Sequence, residues 1–245
     1  MCYCHPGKRN KINWEEENHF SRIPPRPSLS ETPRGNVLSA YTHKQEFVNG
    51  MIHGFGIVFG VSCLPVLTAL AAAHHNIRGV IGAGVYGFCF LLLFTCSTLY
   101  HLVHEAGSKR ILEILDHISI YFLIAGTYTP FILVYMPNPF GMTLLVTLWI
   151  LAVCGIFFKA LFAGKFDIVS VIIYLLMGWA VVAGGRTFFD AMPGDVIMMI
   201  VAGGVLYTAG VGFYLWDRHM YTHALWHGIV LAAAICHYVA VLLAM

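Results

Sequence analysis

The segment His223-Ala224-Leu225-Trp226-His227 opens the last apolar stretch of the chain and carries two histidines four residues apart. On a helix, side chains at positions i and i+4 lie on one face, one turn apart. Imidazole nitrogens are common ligands of zinc, and this spacing allows two rings to reach one ion. The pair is an incomplete ligand set, so other parts of the chain must supply the remaining groups.

Two further stretches carry side chains suited to the same chemistry. Ser97 and His101 are four residues apart, and Asp116 is followed by His117, which lies about 100° further round a helix, so these two neighbours do not face one metal together. Three neutral imidazoles around a zinc leave an open fourth position, as in catalytic sites. A carboxylate that is not a ligand can accept a proton from a water acidified by the metal, and a nearby hydroxyl can donate to a developing oxyanion.

Four more polar residues lie near these stretches. Asn49 and His53 are one helical turn apart near the start of the first apolar run, where they either line the site or hold helices together. His104 and Glu105 follow His101 at helical spacing and are reserve ligands, although a solvated loop is the simpler interpretation of both.

The composition places these residues in a membrane protein. The 245 residues are 58% apolar and 11% charged, with a mean hydropathy of +0.74, whereas soluble domains carry about 25% charged residues. Continuous apolar runs near the length of a membrane span favour helices over the short alternating strands of a barrel. We predict an all-α, polytopic membrane protein with seven transmembrane helices, at residues 48–73, 80–103, 111–136, 142–163, 168–185, 196–216 and 222–245.

Residues 1–43 differ in composition from the remainder of the chain. They contain several prolines, the acidic run Glu15-Glu16-Glu17 and scattered basic residues, without the apolar segment of a signal peptide. We predict a polar, disordered tail at 1–43, followed by a seven-helix membrane domain at 44–245. Five of the seven cysteines fall in apolar runs, where cysteine acts as a small hydrophobe, so no disulfide framework is indicated.

The distribution of basic residues predicts the orientation in the membrane. With a cytoplasmic N-terminus, the short cytoplasmic loops hold five basic residues and the outer loops two, namely Lys109, Arg110, Lys159, Lys165 and Arg218 against Arg78 and Arg186. We therefore expect a multi-pass protein of the plasma (cytoplasmic) membrane with its N-terminus inside. This orientation brings His101, Asp116 and His223 to one depth in the inner leaflet, where a cluster of ionisable groups needs partners.

Each candidate also has a purely structural interpretation. The histidines could be helix-packing residues, and Ser97 could bond to the backbone of its own helix. Asp116 could pair with Lys109 or Arg110 at the membrane interface. A zinc ion closed by four protein ligands would be structural rather than catalytic, so the position of Asp116 bears directly on the function.

Taken together, the motifs resemble those of the hemolysin III proteins, part of the wider superfamily of progestin and adipoQ receptors and alkaline-ceramidase-like membrane hydrolases. The resemblance covers residues 44–245 and leaves out the N-terminal tail. Its motifs are Glu46-x-x-Asn49-x-x-x-His53-Gly54, Ser97-x-x-x-His101, Asp116-His117 followed by Ala125-Gly126-Thr127-Tyr128-Thr129-Pro130, Tyr174 with Gly178-Trp179, Gly204-x-x-Tyr207 and His223-x-x-x-His227.

This resemblance implies a zinc ion bound by His101, His223 and His227. It implies that Asp116 holds or activates a water at the metal and that Ser97 is a neighbouring polar or oxyanion partner. The leading hypothesis is a zinc hydrolase of a lipid, with an amide such as a ceramide as the candidate substrate. The alternative is a receptor or regulator of membrane state, or a cytolysin, with a structural zinc. The expected partner is a membrane lipid, as substrate or ligand, and no nucleic-acid motif is present.

Overall fold

In the computed structural model, which describes residues 42–162, 164–216 and 220–245, all regular structure is helical. The predicted all-α architecture is therefore confirmed for these residues. The predicted disordered tail at 1–43 falls almost wholly outside them. The helices are α1 (His43–Ala73), α2 (Ile77–Leu102), α3 (Ala106–Tyr135), α4 (Pro139–Leu161), α5 (Asp167–Gly178), a 3-10 helix (Ala180–Gly184), α6 (Gly185–Phe189), α7 (Gly194–Leu215) and α8 (Thr222–Leu243).

The first four helices begin at polar side chains that accept hydrogen bonds from the first turn. Thr42 accepts from the Gln45 amide before α1, Asn76 caps α2, Glu105 caps α3 and Asn138 caps α4. Such caps satisfy backbone N–H groups that have no partner within the helix. The polar residues between apolar runs therefore determine where these helices begin.

Six of the helices, α1 to α4, α7 and α8, are long and apolar enough to cross a membrane. The chain is thus a multi-pass membrane protein. The fifth predicted span, at 168–185, is instead divided into α5, the 3-10 helix and the start of α6. Gly185 at the junction has φ 49°, a conformation that disfavours side chains with a Cβ, so a continuous helix does not pass through it.

The interrupted fifth segment runs alongside α3. The Tyr174 hydroxyl donates to the His117 carbonyl at 2.9 Å, and Gly184, ten residues later, lies against Phe140 at the start of α4. At the usual rises per residue, α5 and the 3-10 helix together measure about 28 Å, close to the thickness of a bilayer core. Seven crossings stay a prediction that this length supports, and the cytoplasmic position of the N-terminus stays a separate prediction.

The first and last helices run parallel and pack against each other. At one end, the Gln45 side chain donates to the Met220 carbonyl, just before α8 begins. At the other end, His74 Nδ1 lies 2.9 Å from the carbonyl oxygen of Met245. Helix α1 also packs against α2, so the end of α2 and the starts of α1 and α8 meet at one end of the bundle. This meeting point is where the candidate site lies.

Helices α2 and α3 approach each other closely at a glycine. A Cβ added to Gly82 would lie 2.5 Å from the Cα of Pro130, which is closer than real contacts allow. Small residues at such crossings let helix backbones approach in lipid, where close packing replaces the hydrophobic drive that operates in water. The contact therefore sets the spacing between the helices that carry His101 and Asp116.

We expect Gly82→Ala to lower the free energy of unfolding by about 1–3 kcal/mol, because the added methyl forces the two backbones apart. Gly84→Ala is the matched control, since nothing lies within 4 Å of a Cβ at that position. The control should be neutral or slightly stabilising, because alanine is favoured over glycine within a helix. Thermal unfolding of the two variants in the same detergent tests the contrast, and equal midpoints would contradict it.

Candidate metal centre

Three histidines meet between the end of α2 and the start of α8. His101 is the penultimate residue of α2, and His223 and His227 lie in the first two turns of α8. One ring nitrogen from each lies within 4.8 Å of the other two, and the Nε2 atoms of His101 and His227 are 3.0 Å apart. His101 is 0% exposed and His227 5%. The structure thus brings together the three residues predicted as ligands.

The spacing of these nitrogens suits a single metal ion. A tetrahedral zinc with Zn–N bonds of 2.0–2.1 Å places its ligand nitrogens about 3.4 Å apart. The distance of 3.0 Å between the two Nε2 atoms is slightly shorter, and small ring rotations would open it. Among the described residues, the trio is the group of histidine, cysteine and acidic side chains that could hold a metal.

The second nitrogen of His101 is held by a carboxylate. His101 Nδ1 lies 2.5 Å from Glu46 Oε2 on α1, and the Glu46 side chain is 2% exposed. An Nδ1–H that donates to a carboxylate leaves the Nε2 lone pair free for a metal, an arrangement that recurs around ligating histidines. The observation supports the fit of a metal to this site, and it assigns Glu46 a contact that the sequence did not predict.

Glu46 is in turn paired with a buried lysine. Lys109 Nζ donates to Glu46 Oε1 at 3.0 Å and to the Tyr100 carbonyl at 3.0 Å, and it lies 4.7 Å from the centre of the Tyr100 ring. The sequence suggested Lys109 as one of two possible partners for Asp116. In the structure, the carboxylate that pairs with Lys109 is that of Glu46. A buried charge is costly without a partner, and Lys109 supplies an opposite charge beside the Glu46 carboxylate that contacts His101.

Helix α1 also contacts His227, the other buried histidine of the trio. His227 Nδ1 lies 2.9 Å from His53 Nε2, and the two rings are nearly perpendicular with their centres 4.1 Å apart. Asn49, one turn before His53, is 1% exposed, and both polar atoms of its amide lack a hydrogen-bond partner among the described residues. The structure therefore places His53 in contact with the trio and Asn49 in the same buried stripe.

Asp116 lies beside the trio on α3. Its carboxylate lies within electrostatic range of His101, His117 and Ser97, although the Ser97 hydroxyl has no hydrogen-bond partner among the described residues. Ser97 is 1% exposed. It does not bond to its own helix in the described part of the chain, whereas the neighbouring Thr98 hydroxyl donates to the Phe94 carbonyl. The predicted acid and hydroxyl are thus adjacent and close to a candidate ligand.

The remaining candidates have other contacts. His117 Nδ1 lies 2.7 Å from the Glu113 carbonyl of its own helix. His104, a reserve ligand, stacks on His43 with ring centres 4.6 Å apart. Glu105 caps α3, and hydrogen bonds from Ser108 and then from the Gly107 amide lower the pKa of its carboxyl. These contacts favour the interpretation of His104 and Glu105 as loop residues rather than metal ligands.

Glu46 is the main residue whose contact the sequence did not predict. It appears in the sequence only as the first residue of a motif, although an ionisable side chain at the start of an apolar helix is itself a signal in a membrane protein. Glu46, Asn49 and His53 are spaced at i, i+3 and i+7, which places all three on one face of α1. That polar stripe could have indicated that α1 faces the site.

Comparisons with known proteins match most of the chain. The haemolysin-III related family matches residues 41–238. Hemolysin-3 of Bacillus cereus is 37% identical over 199 residues, which are 81% of this chain and 91% of that protein. The Hemolysin-3 homolog of Bacillus subtilis (strain 168) is 37% identical over 202 residues, 82% and 95% of the two chains.

A human protein extends the similarity further. Monocyte to macrophage differentiation factor of Homo sapiens is 29% identical over 234 residues, 92% of each chain, so this alignment reaches into residues 1–43. No solved structure matches the chain. The match to most of the chain, together with the two Bacillus relatives, shows that this protein belongs to the haemolysin-III related family of membrane proteins.

Proposed function

We propose that this protein is a zinc-dependent hydrolase that cleaves an amide bond of a membrane lipid. The observation that carries the proposal is the buried trio of His101, His223 and His227 with Asp116 and Ser97 beside it. Three protein ligands leave one position of a tetrahedral zinc open, whereas structural zinc sites use four. The combination of an open position, an acid and a hydroxyl matches the requirements of metal-assisted hydrolysis.

Within this proposal, each residue of the site has a distinct task. His101, His223 and His227 hold the zinc through their ring nitrogens. A zinc ion in such a site raises the acidity of a water and polarises a carbonyl. Asp116 accepts the proton that the attacking water loses, and the Ser97 hydroxyl donates a hydrogen bond to the oxygen that gains negative charge. Water adds to the carbonyl carbon, Asp116 passes the accepted proton to the departing nitrogen as the C–N bond breaks, and the products are a carboxylate and an amine.

The position of the site favours a lipid as substrate. The trio lies at the end of α2 and the start of α8, within about two helical turns of the end of the bundle. That depth corresponds to the boundary between headgroups and acyl chains, where the amide or ester bonds of lipids lie. With the predicted orientation, this boundary is that of the inner leaflet of the plasma membrane.

Mass-spectrometric profiling of a membrane lipid extract tests the proposal. We expect the purified protein with zinc to consume one class of acylated lipid and to release a free fatty acid and an amine in equal amounts. The same protein after removal of metal by a chelator should show no such conversion, and readdition of zinc should restore it. Absence of any zinc-dependent conversion would contradict the hydrolase.

The similarity to Hemolysin-3 of Bacillus cereus favours one alternative, a cytolysin in which the histidine site is structural. Leakage from lipid vesicles distinguishes the two functions. Direct lysis would release the vesicle contents without lipid cleavage, and His227→Ala protein that still folds would lyse equally well. Leakage that requires both zinc and lipid cleavage would instead make lysis a consequence of the hydrolase.

A further inference from the structure

The first helix contributes none of the three candidate ligands, yet it contacts two of them. Glu46 and His53 are seven residues apart on α1, which places them on one face and about 10 Å apart along the helix axis. Both are buried, at 1% and 3% exposure. Glu46 contacts His101 of α2, and His53 contacts His227 of α8. One face of α1 therefore supports ligands from two different helices.

The Glu46 contact determines which nitrogen of His101 is available to the metal. A neutral imidazole carries one N–H and one lone pair. The carboxylate, 2.5 Å from Nδ1, requires the proton on that atom and leaves the lone pair on Nε2. Nε2 is also the atom that lies 3.0 Å from His227 Nε2, on the side where the trio converges. The salt bridge from Lys109 holds the carboxylate in place for this contact.

The His53 contact has the same consequence for His227. His227 Nε2 faces the trio, so its lone pair is the one a metal would use. Its proton then resides on Nδ1, which lies 2.9 Å from His53 Nε2. His53 accepts this hydrogen bond only as the tautomer with its own proton on Nδ1. The Phe94 ring packs edge-on against the His53 ring, with centres 5.0 Å apart, and restricts its rotation.

We propose that Glu46 and His53 are positioning residues of the metal site, which hold His101 and His227 in the tautomer and orientation that bind the ion. This inference rests on the zinc site of the proposed function and adds α1 to it as the supporting helix. Partners of this kind orient ligands and raise their basicity, and their loss typically weakens metal affinity by about 10–100-fold.

The zinc dissociation constant of the full-length protein in lipid nanodiscs, from competition with a chromophoric chelator, tests the proposal. We expect Glu46→Gln and His53→Phe each to weaken binding by about 10–100-fold. Since Glu46→Gln leaves Lys109 buried without its counter-ion, the double variant Glu46→Gln, Lys109→Met removes both charges together and should show the same loss. The absorption spectrum of the cobalt(II)-substituted protein, which reports coordination geometry, should change in all three.

His237→Phe is the matched control. His237 is another histidine of α8, half-buried, hydrogen-bonded to the Ile200 carbonyl and about 15 Å along the helix from His227. Its replacement should leave zinc affinity and the cobalt spectrum unchanged. Equal affinity in wild type and the α1 variants, or an equal loss in His237→Phe, would overturn the positioning role. A wild-type protein that binds no zinc would overturn the proposed function as well.

Discussion

Replacement of His227 by alanine is expected to abolish metal binding. Both ring nitrogens of His227 have a close neighbour, with Nε2 3.0 Å from His101 and Nδ1 2.9 Å from His53. Loss of a residue outside the ligand set already costs about 10–100-fold in affinity, so loss of a ligand should cost more than about 100-fold. Zinc content per chain, measured by elemental analysis after dialysis, should fall from near one to near zero. His223→Ala should behave in the same way.

His237→Ala provides the control for this loss, because it removes a half-buried imidazole from the same helix without touching the trio. That variant should retain its zinc. Unchanged metal content in His227→Ala would remove the premise of the site, whereas loss of metal from His237→Ala would indicate a general defect in folding. Circular dichroism of the metal-free proteins distinguishes loss of a ligand from loss of the helix bundle.

Replacement of Asp116 by asparagine should abolish most of the hydrolysis while it leaves the metal in place. The amide keeps the shape of the side chain but cannot accept a proton. Removal of a general base typically lowers the rate by about 10²–10⁴-fold. The rate of release of fatty acid from the lipid identified by profiling should fall by this amount, with zinc content equal to that of the wild type.

Asp190→Asn is the control for this prediction, since Asp190 is an exposed acid that follows α6, at the opposite end of the bundle. It should keep full activity. Retained activity in Asp116→Asn would rule out Asp116 as the base. Joint loss of zinc and activity would make Asp116 a fourth ligand and would favour the structural zinc of the alternative function.

The membrane architecture and the proximity of the three histidines were predictable from the sequence pattern, whereas their role as zinc ligands was implied by the family resemblance and stays a prediction. His223 and His227 are four residues apart, and helical geometry alone puts them on one face. Long apolar runs with few charges require helices in lipid, since backbone groups there need internal partners. The distribution of basic residues in the loops predicted that His101 lies at the same depth in the membrane as His223. The structure confirms that these two residues lie close together.

The partners of those residues depend on which helices are neighbours, and no local pattern contains that information. Glu46 contacts His101 across 55 positions of the sequence, and His53 contacts His227 across 174. Lys109 was close in sequence to Asp116 and Glu113, yet its carboxylate partner comes from α1. The sequence analysis also did not predict the break in the fifth apolar run at 168–185, because hydropathy measures apolar content and not backbone conformation.

Local patterns along the chain identify a helical membrane protein with two histidines on one helix face, because hydropathy and residue spacing act over short distances. Membership of the haemolysin-III related family follows from the match over most of the chain. The way in which those histidines are held depends on the tertiary structure. The parallel packing of α1 against α8 places Glu46 and His53 against His101 and His227, and side-chain tautomers depend on such contacts between distant segments.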